Sequence, residues 1–164
     1  MTHTTDRLFR HMAWANAQLF ATLQTLPEEV YTYREPGNDW TVGMTLLHLV
    51  EAAGFYVMRL GVAPYEDLPF DVVATHDHVR VAAAACATAD AHLRTAAQLP
   101  EGIIARQDNP AVTRARSTIL AQSIHHATEH RAQIAGALVA HGIKALDLDA
   151  LDVWALGDAE GLGE

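Results

Sequence analysis

The feature that most constrains the fold is a set of four long stretches that carry helical periodicity and almost no breakers. The first runs from about Thr5 to Thr25. Leu8, Met12, Ala15, Leu19 and Leu23 form its apolar stripe, widened by Phe9, Phe20 and Leu26, and Pro27 ends it. The second runs from an N-cap at Thr41 to Leu60, before Gly61, with Met44, Leu47, His48, Ala52, Phe55 and Met58 marking an inward side. The third begins after Asp71 and reaches Leu99, before Pro100. Its run Ala82 to Ala85 favours helix and close approach, and Val79, Cys86 and Leu93 lie at seven-residue spacing. The fourth starts at Thr113 or Ser117 and ends at His141, with Gly142 as the residue beyond its C-cap.

Between them lie stretches rich in proline, glycine, asparagine and aspartate at residues 27–40, 61–71 and 100–112. Ile103 to Arg106 reads as a short extended piece, and one strand makes no sheet. The expected fold is therefore all-α, a four-helix bundle with long inter-helix loops that can shape a site. The 164 residues form a single domain, 1–164. In the acidic tail, Leu146, Leu148, Leu151, Val153 and Trp154 are expected to pack back on the bundle, and residues 157–164 to be a mobile tail. The flat, alanine-rich third helix points to a homodimer.

Charge narrows the partners. A net charge of −9 argues against gripping nucleic acid or anionic membranes, which needs basic patches. No apolar run approaches the ~18 residues of a membrane span, and no signal peptide is visible at the N-terminus. The single cysteine, Cys86, allows no intrachain disulfide and has no activating base in sequence reach, so it reads as a buried structural thiol. The expected location is the cytoplasm.

Ten histidines are many for this length. His126 and His130 sit four apart in the fourth stretch and share one helix face with Ile134 and Leu138. Two imidazoles so placed can reach one transition metal. A pair of partly exposed histidines is the other reading of that spacing. Burying two unpaired rings is costly, which favours ligation. His48, flanked by Leu46, Leu47, Leu49 and Val50, is a reasonable third ligand from the second helix. The candidate metal set is thus His48, His126 and His130.

His125 is turned ~100° from His126 and stays outside the set. Glu129 reads as a solvated carboxylate or one that orients a ligand. Glu51, three residues after His48, is a candidate base on a metal-activated water; a salt bridge to Arg59 or a surface position is its other reading. His3, His11, His76, His78, His92 and His141 read as surface or packing histidines. An enzyme should also present a pocket lined by residues such as Trp14, Tyr56 or Glu51. No phosphate-binding glycine loop, nucleophile elbow, His-Glu-x-x-His zinc motif or paired Glu-x-x-His motif is present.

The stretch His126-Ala127-Thr128-Glu129-His130-Arg131-Ala132-Gln133-Ile134 resembles the His-x-x-x-His-Arg-Gly-Gln-Ile signature of the DinB-like (DinB/YfiT) family. Trp14-Ala15-Asn16, Trp40-Thr41 with Leu46-Leu47-His48-Leu49-Val50, and Leu151-Asp152-Val153-Trp154 resemble further motifs of that family. Ala132 departs from its usual glycine, and Glu129 stands where a further histidine is common; neither position matches a ligand. The resemblance implies a bundle that holds a divalent metal on His48, His126 and His130 with open positions. Zinc fits best by ligand type, and nickel, iron or manganese also take imidazole. It further implies a metal-dependent enzyme acting on small molecules. One class is a thiol S-transferase using a low-molecular-weight thiol such as bacillithiol or mycothiol, and another is a hydrolase. The alternatives are a non-catalytic metal-binding stress-response protein and a bundle with vestigial histidines.

Overall fold

A computed structural model describes residues 3–162. Among them lie four long helices, α1 (His3–Gln24), α2 (Val42–Arg59), α3 (His76–Ala96) and α4 (Arg116–Ala140), and a short α5 (Val153–Ala159). α1 packs chiefly on α3, α2 lies between α3 and α4, and α4 closes the ring against α1. This is the expected all-α bundle. No helix among the described residues is long and apolar enough to cross a membrane.

The ends of the helices follow local chemistry. Thr41 Oγ1 accepts from Met44 N at 3.2 Å, and Thr75 Oγ1 accepts from His78 N at 3.2 Å. Gly61 and Gly142, just past α2 and α4, have φ of +71° and +80°, the left-handed region that closes a helix. The long loops are pinned to the bundle. Val42 N donates to Tyr33 O at 2.8 Å, and Val73 passes so close to Gly43 that a Cβ there would sit 2.0 Å from Val73 O. Gly43 thus lets the loop after α2 cross the start of that helix.

The core has two parts stacked along the bundle. One gathers Leu19, Leu23, Val30, Tyr31, Leu46, Val79 and Leu138. The other gathers Phe9, Met12, Val57, Leu93 and Ile119. The buried polar residues Asn16, Asp90, His130 and Arg131 fall, along their helices, near where the two parts meet.

Several expectations are corrected. Ile103–Ala105 does find a partner: it pairs antiparallel with Thr113–Ala115, so the 100–112 loop lies within a hairpin, and α4 begins at Arg116, beside Ser117 and not at Thr113. The inward face of α2 was mis-phased. Met44 and Phe55 are exposed, while Leu46, Leu49, Val50, Ala53 and Val57 are buried. In the tail Leu146, Leu151 and Leu156 pack inward, but Leu148 and Val153 are exposed and Trp154 is 84% exposed. The segment expected to form a mobile tail begins inside a short helix. α5 runs to Ala159, and Glu160 accepts from Arg7 at 2.6 Å and also from Arg10. The last two residues of that expectation, 163 and 164, lie outside the described residues.

Candidate metal centre

α4 carries His126 and His130 one turn apart on its side toward α2, which carries His48. Their rings converge through Nε2. His126 Nε2 lies 3.1 Å from His48 Nε2 and 3.0 Å from His130 Nε2. Each ring offers one nitrogen, and the three nitrogens all lie within 4.8 Å of one another. His130 is buried; His48 and His126 are half-buried.

The donor set fits a divalent ion. Nitrogens bound at ~2.0–2.1 Å, at angles between octahedral and tetrahedral, lie roughly 2.9–3.4 Å apart, and both observed spacings fall inside that range. The protonation states fit as well. His130 Nδ1 donates to Gln133 Oε1 at 2.6 Å, which leaves its Nε2 with a lone pair aimed at the shared point. Burial, then the charges of His130 and His48, push His126 down to about 4. Burial and then His130 lower His48. The neutral form so favoured for His126 and His48 is the form a metal requires.

Two aromatic side chains wall the histidines. The Trp40 ring stands edge-on to His48 with centroids 4.8 Å apart, and lies nearly parallel to His130 at 6.3 Å. An Asn38 turn presents it: Asn38 Oδ1 accepts from Trp40 N at 3.0 Å. Tyr56 meets His126 edge-on at 5.8 Å. Trp40 and Gln133 were not assigned to the site from sequence. Gln133 was within reach, because it follows His130 by three residues on a helix. Trp40 was not, because a loop brings it back.

Other candidates lie elsewhere. Glu51 does not join the three nitrogens; it lines a cavity between α2 and α3 with Tyr65, Glu66 and His92. Burial there, then Asp67 and Asp71, raise its carboxyl. Its alternative salt bridge to Arg59 is not formed either: Arg59 Nε and NH2 are buried without a partner. Trp14 lines a different cavity, beside Arg94 and Glu160. Of the three residues expected around a pocket, only Tyr56 is at the histidines. His125 and Glu129 are exposed. His11 is a packing histidine whose Nε2 donates to Leu151 O at 2.7 Å.

A second buried polar cluster lies one residue along α4. Arg131 NH1 donates to Asn16 Oδ1 at 2.6 Å, and NH2 donates to Thr128 Oγ1 at 3.0 Å. Asn16 Nδ2 donates to Asp90 Oδ2 at 2.9 Å. Burial pushes Asp90 up to about 6 against the pull of Asn16, Cys86 and Arg131. Burial and the neighbouring Asp90 push the Cys86 thiol well up, as suits a structural cysteine. Asp90 and Arg131 were unassigned in sequence; nothing in an alanine-rich helix marks one aspartate as buried.

No curated protein matches the chain. The sequence profile of the DinB family matches residues 1–156, nearly the whole bundle, and the chain belongs to that family.

Proposed function

We propose that His48, His126 and His130 bind a divalent metal, zinc by ligand type, and that the protein is a metal-dependent enzyme acting on small molecules. The observation that carries this is the donor set. Three imidazoles converge, and no carboxylate or thiolate among the described residues joins them. These three rings would hold the ion, and bound there it would supply Lewis-acid chemistry able to activate a water or a thiol. The chain's part is to fix that position. Gln133 orients His130, and burial favours the neutral form of His126 and His48. Trp40 and Tyr56 supply apolar walls beside the centre. The favoured reaction is transfer of a low-molecular-weight thiol, of the bacillithiol or mycothiol type, to a small electrophile. Hydrolysis of a small ester or amide is the other reaction such a centre serves.

The test is metal analysis of untagged protein, followed by a thiol-transfer screen. Several cellular thiols are offered with one reactive electrophile, with and without zinc, nickel, iron and manganese. Metal-dependent turnover that disappears in the His126→Ala, His130→Ala double variant supports the reading. Equal metal content in both proteins sinks it.

A non-catalytic metal-binding protein of stress responses is the second reading. Metal that stabilises the fold while no thiol or ester turns over would select it. The proposed homodimer through α3 is checked by light scattering at several concentrations. A 17.8 kDa species throughout would count against it.

A further inference from the structure

Asp90 poses a problem that its own cluster does not solve. It is 2% exposed, and its Oδ2 accepts from Asn16 while its Oδ1 has no hydrogen-bond partner. An unmatched buried carboxylate oxygen is costly, so it calls for a partner. Beside it lies a small cavity of about 10 Å³. Asp90, Asn16, Ser123, Tyr56 and His126 are among its lining residues, and Leu49 and Leu93 are among the apolar ones. That volume holds one water.

The lining also offers the right mixture of groups. Ser123 Oγ donates to Leu120 O at 2.7 Å, which leaves its lone pairs free. His126 directs Nε2 at His48 and His130, so its Nδ1 lies on the other edge of the ring, where no hydrogen bond to it forms among the described residues. A water donating to Asp90 Oδ1 and Ser123 Oγ, and accepting from His126 Nδ1–H, would satisfy all three groups.

We propose that one water fills this cavity and links Asp90 to His126, making Asp90 of α3 a positioning residue for a metal ligand on α4. This rests on the three-histidine reading above. Gln133 does the same for His130 directly, so two of the three ligands would have their outer nitrogen held by an oxygen acceptor. Such a link fixes the ring and raises its basicity; losing one costs roughly 10- to 100-fold in metal affinity.

The test compares wild type with Asp90→Asn, using zinc alone in competition with a chelator at neutral pH, and thermal melts of both metal-free proteins. Asparagine keeps the shape and the bond from Asn16 and removes the charge. The expected result is a loss of roughly tenfold or more in zinc affinity, with a metal-free melting temperature equal to or above wild type. A packing role would move both in the same direction, so affinity and stability falling together would overturn the proposal. Unchanged affinity would also overturn it.

If the wild type takes up no zinc, the three-histidine reading fails first and this link falls with it. If the wild type binds zinc and Asp90→Asn binds it equally, only the link fails. Should Asp90→Asn not fold, a high-resolution crystal structure of the zinc-loaded wild type decides. One ordered water bonded to Asp90 Oδ1, Ser123 Oγ and His126 Nδ1 is expected, and an empty cavity would overturn the idea.

Discussion

Two polar clusters lie near each other where the halves of the core meet, and they are built on opposite rules. In the Asn16–Asp90–Arg131 cluster donors meet acceptors. Arg131 gives to Asn16 and Thr128, Asn16 gives to Asp90, and one carboxylate oxygen is left over. In the His48–His126–His130 cluster three ring nitrogens approach one another, and the outer bond of His130 turns its lone pair inward. A matched network holds helices in place. Converging acceptors with few protons to share describe a seat for a cation. One buried layer thus contains both a scaffold and the proposed metal site, and adjacent residues of α4, His130 and Arg131, belong to one each.

The largest expected effect breaks the second cluster. The His126→Ala, His130→Ala double variant should fall from about one metal per chain to almost none by metal analysis, because one remaining imidazole cannot compete with water and buffer. A chelator should lower the melting temperature of wild type and leave that variant unmoved. The first cluster is broken by Arg131→Met. That change leaves Asn16 Oδ1 unpaired and takes the neighbouring cation away from buried Asp90. It should cost about 3–5 kcal/mol in urea unfolding. If Arg131→Met proves neutral, the cluster is not the scaffold described here.

The two clusters should also answer pH with opposite signs. Asp90 is raised from 3.8 to about 6 in the fold, so its contribution is fully present below 3.8 and is lost as pH rises through 6. That loss is about 3 kcal/mol for a shift of about two units. His126 is lowered from 6.5 to about 4, so its contribution is present above 6.5 and is lost as pH falls through 4. In wild-type metal-free protein the two slopes oppose each other between about pH 4 and 6. Asp90→Asn should unmask a stability that rises with pH across that window, and His126→Gln one that falls. Urea titrations at a series of pH values check this. Identical profiles in the two variants would refute the contrast.

How much of this was legible beforehand follows from the range of each signal. Helical periodicity is local, so the four helices and their caps at Thr41 and Gly142 could be read directly. The spacing of His126 and His130 is also local, and His48 drew notice as one polar residue among leucines and valine. The phase of α2 was misread because Met44 and Phe55, large and apolar, are exposed on it. The Ile103–Ala105 strand appeared unpaired because its partner Thr113–Ala115 is short and half polar. Glu51 looked close to His48 at three residues along the helix, yet it faces α3 while His48 meets α4. Trp40 and Arg131 stand in stretches that resemble family motifs, but what they touch, like the burial of Asp90, depends on other elements, which no single stretch of sequence displays.

The smallest expected effect sharpens the comparison at its closest point, between neighbours on α4. Gln133 and Arg131 both use α4 to reach a polar partner, but only Gln133 holds a histidine of the centre. Gln133→Ala should therefore lower zinc affinity by about tenfold, roughly 1.4 kcal/mol. It should leave the metal-free melting temperature nearly unchanged, because Gln133 is only half-buried and water can take the place of its amide. Gln133→Glu keeps the acceptor and adds a charge, so it should restore the affinity. Arg131→Met should show the reverse pattern, a large loss of stability with zinc affinity changed only as far as the fold is. Calorimetric zinc titration and thermal melts on the same samples decide this. If both variants shift both quantities in fixed proportion, the layer is one cooperative unit, and the separation of scaffold from site fails.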